Sequence, residues 1–162
     1  MNKKPIIIVA GEPNSIFLEI FFKSIKFNSY KSPLIIIVSK ELLQAQMKKL
    51  GFFFKINTID INFKKFEKLN NKRINLIDVK YNFNNCFEKI SIKSNNYIKE
   101  SFSVGLKILK KNNFSKLVNG PISKKYFLKG KNLGITEYLA KKTKVNNNFA
   151  MLIFNKKLSV SP

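Results

Sequence analysis

The segment with the clearest capacity for chemistry is a short apolar strand that runs into a glycine-proline turn. The predicted strand covers Leu117–Asn119; Gly120 then permits an unusual backbone angle, and Pro121 fixes the next one. Lys124 follows closely, and its ammonium group can neutralise a phosphate. Because free backbone N–H groups gather where such strands end, the pattern predicts a site for a phosphorylated ligand. A surface turn with a solvated lysine is the alternative that the pattern leaves open.

A second glycine turn follows, and polar side chains stand at the start of the helix behind it. Gly134 precedes Thr136 and Glu137, which open a predicted helix. The Thr136 hydroxyl can bond a phosphate or hydroxyl group of a ligand, and the Glu137 carboxylate is favourable near a helix N-terminus. A purely structural role, with Thr136 as the helix cap, is equally compatible with the pattern.

The turn after the first predicted strand is a third candidate site. Gly11, Glu12 and Pro13 follow an apolar run and precede a helix, which puts Glu12 at the ligand edge of a parallel sheet. A plain strand-to-helix turn capped by Ser15 is the alternative. The chain contains no Gly-x-Gly-x-x-Gly sequence, so a dinucleotide loop of the Rossmann type is not supported.

Apolar runs alternate with amphipathic segments along the chain, which predicts an α/β fold with a mixed, mostly parallel sheet flanked by helices. The last predicted strand has nothing after it, so we expect the chain to be truncated within the fold. The predicted strands cover residues 6–10, 34–38, 53–61, 117–119, 149–154 and 158–160, the last two as a hairpin. The predicted helices cover residues 15–27, 40–50, 94–111 and 135–142, and residues 62–96 are expected to form short strands and loops.

Lysine dominates the charge of the chain. The 162 residues carry a formal net charge of +22, and Arg73 is the only arginine among 31 basic residues. Nucleic-acid surfaces depend on the planar fork of arginine, so the composition disfavours a nucleic-acid partner. The lysines are spread among asparagines, isoleucines and phenylalanines, which all have A/T-rich codons. A compositional bias of the genome therefore explains the charge without any partner.

Cysteine usage and the N-terminal segment indicate the compartment. The sole cysteine, Cys86, excludes an internal disulfide and is typical of a reducing, cytoplasmic setting. The apolar run that follows Pro5 is too short for a signal peptide or a membrane span. We therefore expect a cytoplasmic protein with no membrane partner.

Three segments together give the chain a family resemblance. Gly11-Glu12-Pro13, Gly120-Pro121 with Lys124, and Thr136-Glu137 resemble, in order and approximate separation, motifs of the 4-hydroxythreonine-4-phosphate dehydrogenase family of pyridoxal phosphate biosynthesis. Ile135 stands where that family has a histidine that binds substrate. Both glycines that follow the first motif in the family are also replaced in this chain.

The resemblance implies an enzyme that oxidises a phosphorylated amino acid, 4-phosphooxy-threonine, with NAD and a divalent metal, as a homodimer. Residues 1–162 correspond to its amino-terminal half. The family holds the metal with three histidines, whereas this chain has none, so we expect no catalytic or metal-binding residue here and no activity from the isolated chain. The resemblance assigns substrate binding to Glu12, Gly120, Lys124, Thr136 and Glu137.

Two other functions remain open. One is a lysine-rich nucleic-acid-binding domain, whose affinity for nucleic acid would fall steeply as the salt concentration rises. A non-catalytic paralogue that binds a phosphorylated metabolite is the other, and it is consistent with Ile135.

Overall fold

A computed structural model describes residues 3–63, 66, 69–130, 133–145 and 148–161. They divide into two units, one up to residue 122 and the other from residue 123 onward. Within these ranges no helix combines the length and the apolar character that crossing a lipid bilayer requires.

A five-stranded parallel sheet forms the centre of the first unit. Its strands are β1 (Ile6–Val9), β2 (Leu34–Val38), β3 (Ile56–Thr58), β4 (Ile74–Asp78) and β5 (Leu117–Asn119). Their spatial order is β3-β4-β2-β1-β5, with every pair parallel. The runs of isoleucine and valine in β1 and β2 are buried on both faces, as strands inside a parallel sheet are.

Helices cover the two faces of this sheet because alternate strand residues point to opposite sides. α1 (Phe17–Phe27) and α2 (Lys40–Lys49) lie on one face, where Ile8 joins Phe22 in the core. α3 (Asn95–Asn112) lies on the other face, where Gly105 approaches Val9. The predicted α/β fold with a parallel sheet flanked by helices is confirmed.

The second unit contains shorter elements. They are a π-helical turn (Lys124–Leu128), α4 (Ile135–Thr143), β6 (Ile153–Phe154) and β7 (Ser159–Val160). β6 and β7 form an antiparallel pair, which confirms the predicted hairpin. The rings of Phe127 and Tyr138 pack edge to face with centroids 5.1 Å apart, so the π-helical turn contacts α4.

Two predicted helix caps are wrong. α1 begins after Ile16 rather than at Ser15, and Ser15 belongs to the preceding turn: its hydroxyl donates to the Glu12 carbonyl at 2.8 Å and accepts the Phe17 N–H at 3.3 Å. α4 begins after Gly134, so Thr136 lies inside its first turn and is not the cap. The strand predicted over residues 53–61 is limited to β3, and the π-helical turn was not anticipated.

Candidate functional site

The ends of β1 and β5 bring two of the sequence motifs together. The two strands are adjacent and parallel, with Val9 opposite Asn119. The Gly120 N–H donates to the Val9 carbonyl at 2.8 Å, and the Glu12 N–H donates to the Pro121 carbonyl at the same distance. Two turns more than 100 residues apart in sequence therefore form one structure at the carboxyl edge of the sheet, where parallel sheets bind ligands.

The backbones of the two turns lie so close together that each turn requires a glycine at the junction. Gly11 has a φ of 75°, and a Cβ on it would overlap the Pro121 carbonyl oxygen. A Cβ on Gly120 would overlap the Ala10 carbonyl oxygen and lie 2.8 Å from Cγ of Phe17. Gly120 is not among the described glycines of positive φ, so the unusual backbone angle expected for it is wrong, and steric closeness is the reason for glycine there.

Glu12 lies inside this junction and not on its surface. Its side chain is only 2% exposed. The Ser94 hydroxyl donates to Oε2 at 2.9 Å, and the Asn14 N–H donates to Oε1 at 3.4 Å. Burial raises the pKa of the Glu12 carboxyl, and these two hydrogen bonds oppose that rise only partly. Glu12 therefore connects the loop after β1 to the start of α3.

Replacing Glu12 with glutamine tests the energetic effect of this buried carboxyl. Because the folded pKa is raised, the carboxyl stabilises the fold most below its unfolded pKa of 4.5 and loses that contribution as the pH rises through the folded value. Wild type should therefore lose stability relative to Glu12→Gln as the pH increases above 4.5, and the difference should level off below it. Urea unfolding of both proteins between pH 3 and 8 measures this difference. A difference that is constant over this range would contradict the raised pKa.

Gln46 of α2 connects the loop after β1 to a second loop, and the sequence analysis missed it. Its side chain is fully buried. Nε2 donates to the Pro13 carbonyl at 2.9 Å and to the Cys86 carbonyl at 2.7 Å. The available signal was its spacing, since Gln46 shares the apolar face of α2 with Leu42 and Leu43.

Asn14, which lies in the loop after β1, also bonds to the second loop. Its side-chain oxygen accepts the Glu88 N–H at 3.2 Å, and its side chain also bonds the Tyr81 hydroxyl. Burial, followed by the negative charges of Glu12 and Glu88, raises the pKa of Tyr81. Glu88 accepts the backbone N–H groups of Asn85 and Asn84, which lower the pKa of its carboxyl.

A pocket of about 320 Å³ opens beside these loops. It is lined by Glu41, Tyr81, Asn82, Phe83, Asn84, Glu88 and Lys93. Residues with carboxylate, amide and ammonium groups line it, so the pocket can both donate hydrogen bonds to a small polar ligand and accept them from it. None of its lining residues was predicted as a site residue from the sequence.

The other predicted site residues lie in the second unit. Lys124 is exposed at the start of the π-helical turn. Thr136 and Glu137 are half-buried in the first turn of α4, beside Ile135. Glu137 folds back toward Gly134, and its Oε2 is buried without a hydrogen-bond partner among the described residues. Of the five predicted substrate residues, the first unit thus contains Glu12 and Gly120, and the second contains Lys124, Thr136 and Glu137.

Neither group implied by the family resemblance fits the residues present. The sequence has no histidine. In the described ranges, no three cysteine, aspartate or glutamate side chains are grouped to hold a metal ion. A dinucleotide pyrophosphate does not suit the start of α1, because the buried Glu12 carboxyl lies in the preceding loop and the Ser15 hydroxyl already accepts the Phe17 N–H.

Solved structures described as 4-hydroxythreonine-4-phosphate dehydrogenases share this fold. The chain is 20% identical to 4-hydroxythreonine-4-phosphate dehydrogenase from Burkholderia phymatum, with a TM-score of 0.80 over 97% of this chain and 48% of that chain. For the enzyme of the same name from Klebsiella pneumoniae, the identity is 18% and the TM-score 0.80, over 98% of this chain and 49% of that chain. At this identity the likeness concerns the fold, and the chain spans about half the length of these structures.

Comparison at the level of sequence identifies the family. No curated protein matches the chain. Residues 29–162 match the family described as pyridoxal phosphate biosynthetic protein PdxA. The matched range includes the Gly-Pro element and both motif residues of α4. Because this match extends over most of the sequence, the chain belongs to the PdxA family.

Proposed function

We propose that this chain provides one half of a 4-hydroxythreonine-4-phosphate dehydrogenase that uses NAD and a divalent metal in pyridoxal phosphate biosynthesis. The observation that carries the proposal is the family match over residues 29–162, which includes the predicted substrate residues Gly120, Lys124, Thr136 and Glu137. As in the family, we expect a cytoplasmic homodimer for the complete enzyme. The NAD and metal sites require residues that this chain does not supply.

Lys124 and Thr136 are the residues that we assign to direct substrate contact. An exposed ammonium group and a half-buried hydroxyl can bind the phosphate of a phosphorylated amino acid. Glu12 has a different role in this proposal, because its carboxyl is buried and would repel a phosphate. It positions the loop after β1, and Gly120 allows the end of β5 to pack against that loop.

Activity of the purified 162-residue chain tests the main proposal. With 4-phosphooxy-threonine, NAD and Mg²⁺ or Zn²⁺, we expect no reduction of NAD above background, because the chain has no histidine to hold the metal that acidifies the alcohol. The absorbance of reduced nicotinamide measures this. Metal-dependent turnover by the chain alone would contradict the proposal that it is only half of the enzyme.

Substrate binding in the absence of turnover tests the assigned residues. We expect Thr136→Val and Lys124→Gln each to weaken binding of 4-phosphooxy-threonine roughly ten- to hundred-fold, since a hydrogen bond to a charged group contributes roughly 1.5–3 kcal/mol. Isothermal titration calorimetry measures the affinity. Thr143→Val and Lys125→Gln are matched controls, because they change the same residue types in α4 and in the π-helical turn.

The pattern of these affinities separates the alternatives. Equal losses in the controls and in the assigned variants would contradict the assignment and indicate attraction by lysine charge alone. Binding of several phosphorylated metabolites with similar affinity would favour a non-catalytic relative over the dehydrogenase.

A further inference from the structure

Charged side chains of the first unit are segregated between the two ends of its strands. The described acidic residues end or follow a strand, or lie near the start of a helix, which places them at the carboxyl edge of the sheet. They are Glu12, Glu19, Glu41, Asp60, Asp78, Glu88 and Glu100. We call the opposite edge, at which all five parallel strands begin, the amino edge. Among the residues of this unit that the structure describes, the amino edge has no carboxylate.

Basic side chains precede every strand at the amino edge. All are exposed and lie one to three positions before the strand that they precede: Lys4 before β1, Lys31 before β2, Lys55 before β3, Lys72 and Arg73 before β4, and Lys116 before β5. Further lysines occupy the last turns of α1, α2 and α3, which return the chain to this edge. The ion pairs found within the described part of the chain involve none of these residues.

Neither composition nor helix electrostatics explains this distribution. A/T-rich codons raise the number of lysines, but they do not select one edge of the sheet. The dipole of a helix favours cations in its last turn, which explains Lys48 and Lys49 of α2. A sheet has only a small net dipole, so the same reason does not apply to the basic residues before the strands. Their charge is therefore available to a partner outside the chain.

The strands begin at one level, which makes the amino edge even. At this end, the first paired residues of neighbouring strands are in every case the first or second residue of their strand. Five strands about 4.8 Å apart give an edge about 19 Å wide. The loops before β2 and β4 are joined there, because Nδ2 of Asn71 donates to the Ser32 carbonyl at 2.8 Å. A row of cations at one level suits an extended, flat anionic partner.

Two phenyl rings are exposed at the amino edge. Phe27 is the last residue of α1 and is 74% exposed, and Phe53 shortly precedes β3 and is 88% exposed. The ring of Phe52 packs against the buried Phe22 with centroids 5.4 Å apart, so this segment is anchored in the core while Phe53 faces solvent. The Lys26 ammonium lies 5.6 Å from the centre of the Phe27 ring. Exposed phenyl rings beside ammonium groups are typical of surfaces that lie in the interface of a lipid bilayer.

Residue types decide between a membrane and a nucleic acid as the partner. Arg73 is the only arginine of the chain, so the planar fork that recognises phosphates and bases is nearly absent from this surface. Anionic lipid headgroups attract lysine through a diffuse negative potential that requires no such geometry, and a phenyl ring fits the boundary of the acyl chains. A second copy of this chain is disfavoured, because two molecules of net charge +22 repel each other.

We propose that the amino edge of the five-stranded sheet is an attachment surface for a membrane that contains anionic lipids. Lys31, Lys72 and Arg73 lie at the headgroups, and Phe53 inserts between them. The expectation of no membrane partner rested on the lack of a spanning segment, which attachment at the surface does not need. The carboxyl edge, where the sequence motifs of the first unit meet, lies at the opposite ends of the strands and stays open to solution. The proposal does not depend on the assigned activity.

Vesicle sedimentation with the full 162-residue chain tests the proposal. Vesicles of phosphatidylcholine with about one third phosphatidylglycerol should bind the chain at least roughly ten-fold more tightly than phosphatidylcholine alone, and salt should weaken the binding. Lys31→Gln, Lys72→Gln and Arg73→Gln together should weaken it about hundred-fold, because each basic residue near an anionic surface adds to the affinity.

A second triple variant is the matched control for charge. Lys80→Gln, Lys89→Gln and Lys99→Gln remove three lysine charges from exposed positions after β4 and near the start of α3, toward the carboxyl edge. Because these positions lie away from the proposed surface, their replacement should change the affinity for anionic vesicles less than about three-fold.

A tryptophan reporter tests the insertion of Phe53. The chain contains no tryptophan, so Phe53→Trp introduces a single one. We expect its emission to shift to shorter wavelength on anionic vesicles and to be quenched by brominated lipids, because the ring enters the boundary of the acyl chains. Phe87→Trp is the control, since Phe87 is 41% exposed in the loop after β4, and its emission should stay unchanged.

Four results would overturn the proposal. Equal losses of affinity in the two triple variants would indicate attraction by overall charge without a preferred face. Unchanged emission of Phe53→Trp on bound vesicles would place another face on the membrane. Failure to bind anionic vesicles would exclude the attachment, and binding of poly(U) RNA in its place would assign the amino edge to nucleic acid. None of these measurements involves turnover, so a failure of the proposed dehydrogenase function leaves them unaffected.

Discussion

Replacing Gly120 with alanine is expected to destabilise the first unit by about 3 kcal/mol or more. The added Cβ would overlap the Ala10 carbonyl oxygen, which belongs to the backbone and cannot rotate away. The ends of β1 and β5 would have to separate, and the hydrogen bonds from the Gly120 N–H to Val9 and from the Glu12 N–H to Pro121 would be strained. Urea unfolding followed by circular dichroism measures the loss.

Gly51→Ala is the matched control for this prediction. Gly51 has a φ of 71°, but a Cβ on it would have no neighbour within 4 Å. Its replacement should lower the free energy of unfolding only by the strain of a non-glycine residue in the left-handed conformation, about 1–2 kcal/mol. If Gly120→Ala proves no more destabilising than Gly51→Ala, the close junction of the two strand ends is wrong.

The sheet could be predicted from the sequence because its signals are local. Runs such as Ile6–Val9 and Leu34–Val38 are long enough and apolar enough to indicate buried strands by themselves. The helix predicted over residues 40–50 is observed as α2, and the hydroxyl of Ser39, which directly precedes it, accepts the Leu42 N–H at 3.3 Å. For these two strands and for α2, the local signals are confirmed.

The errors arose where a distant or competing partner decides the structure. Ser15 has the residue type of a cap, but it belongs to the turn after β1, where its hydroxyl donates to the Glu12 carbonyl, and the helix starts two residues later than predicted. Gly120 was interpreted through its own backbone angle, whereas its neighbour across the sheet, Ala10, requires the glycine. Ala10 cannot be identified as the neighbour of Gly120 from a local pattern, because it lies far from β5 in the sequence.

The interior of the candidate site was the least predictable part. The motif predicts Glu12 at the ligand edge, but the carboxyl is buried and accepts a hydrogen bond from Ser94, which lies 82 residues away in sequence. In the sequence, Gln46 looks like any polar residue of an amphipathic helix, because the carbonyl groups that it bonds belong to distant loops. Residues that connect loops carry no motif, because their partners are backbone atoms of any residue type.

Replacing Gln46 with methionine should therefore destabilise the first unit by about 2–3 kcal/mol. Methionine keeps the volume of the side chain but leaves the carbonyl groups of Pro13 and Cys86 without their donor, and an unsatisfied buried group costs roughly 1–3 kcal/mol. Part of this cost is offset, because Oε1 of Gln46 is itself buried without a partner among the described residues. Urea unfolding measures the change.

A chemical readout on the loops distinguishes this role of Gln46 from general core packing. Cys86 is the only cysteine of the chain and is half-buried, so its reaction with a thiol reagent reports the opening of the loop whose carbonyl Gln46 holds. We expect Gln46→Met to accelerate that reaction about ten-fold, while Gln44→Met, at an exposed position of α2, changes neither the rate nor the stability by a measurable amount. Equal behaviour of the two variants would show that the loops at the carboxyl edge are held without Gln46. A loss of stability with an unchanged reaction rate would assign Gln46 to the packing of α2 alone, and the loops would then depend on Asn14 and Glu12.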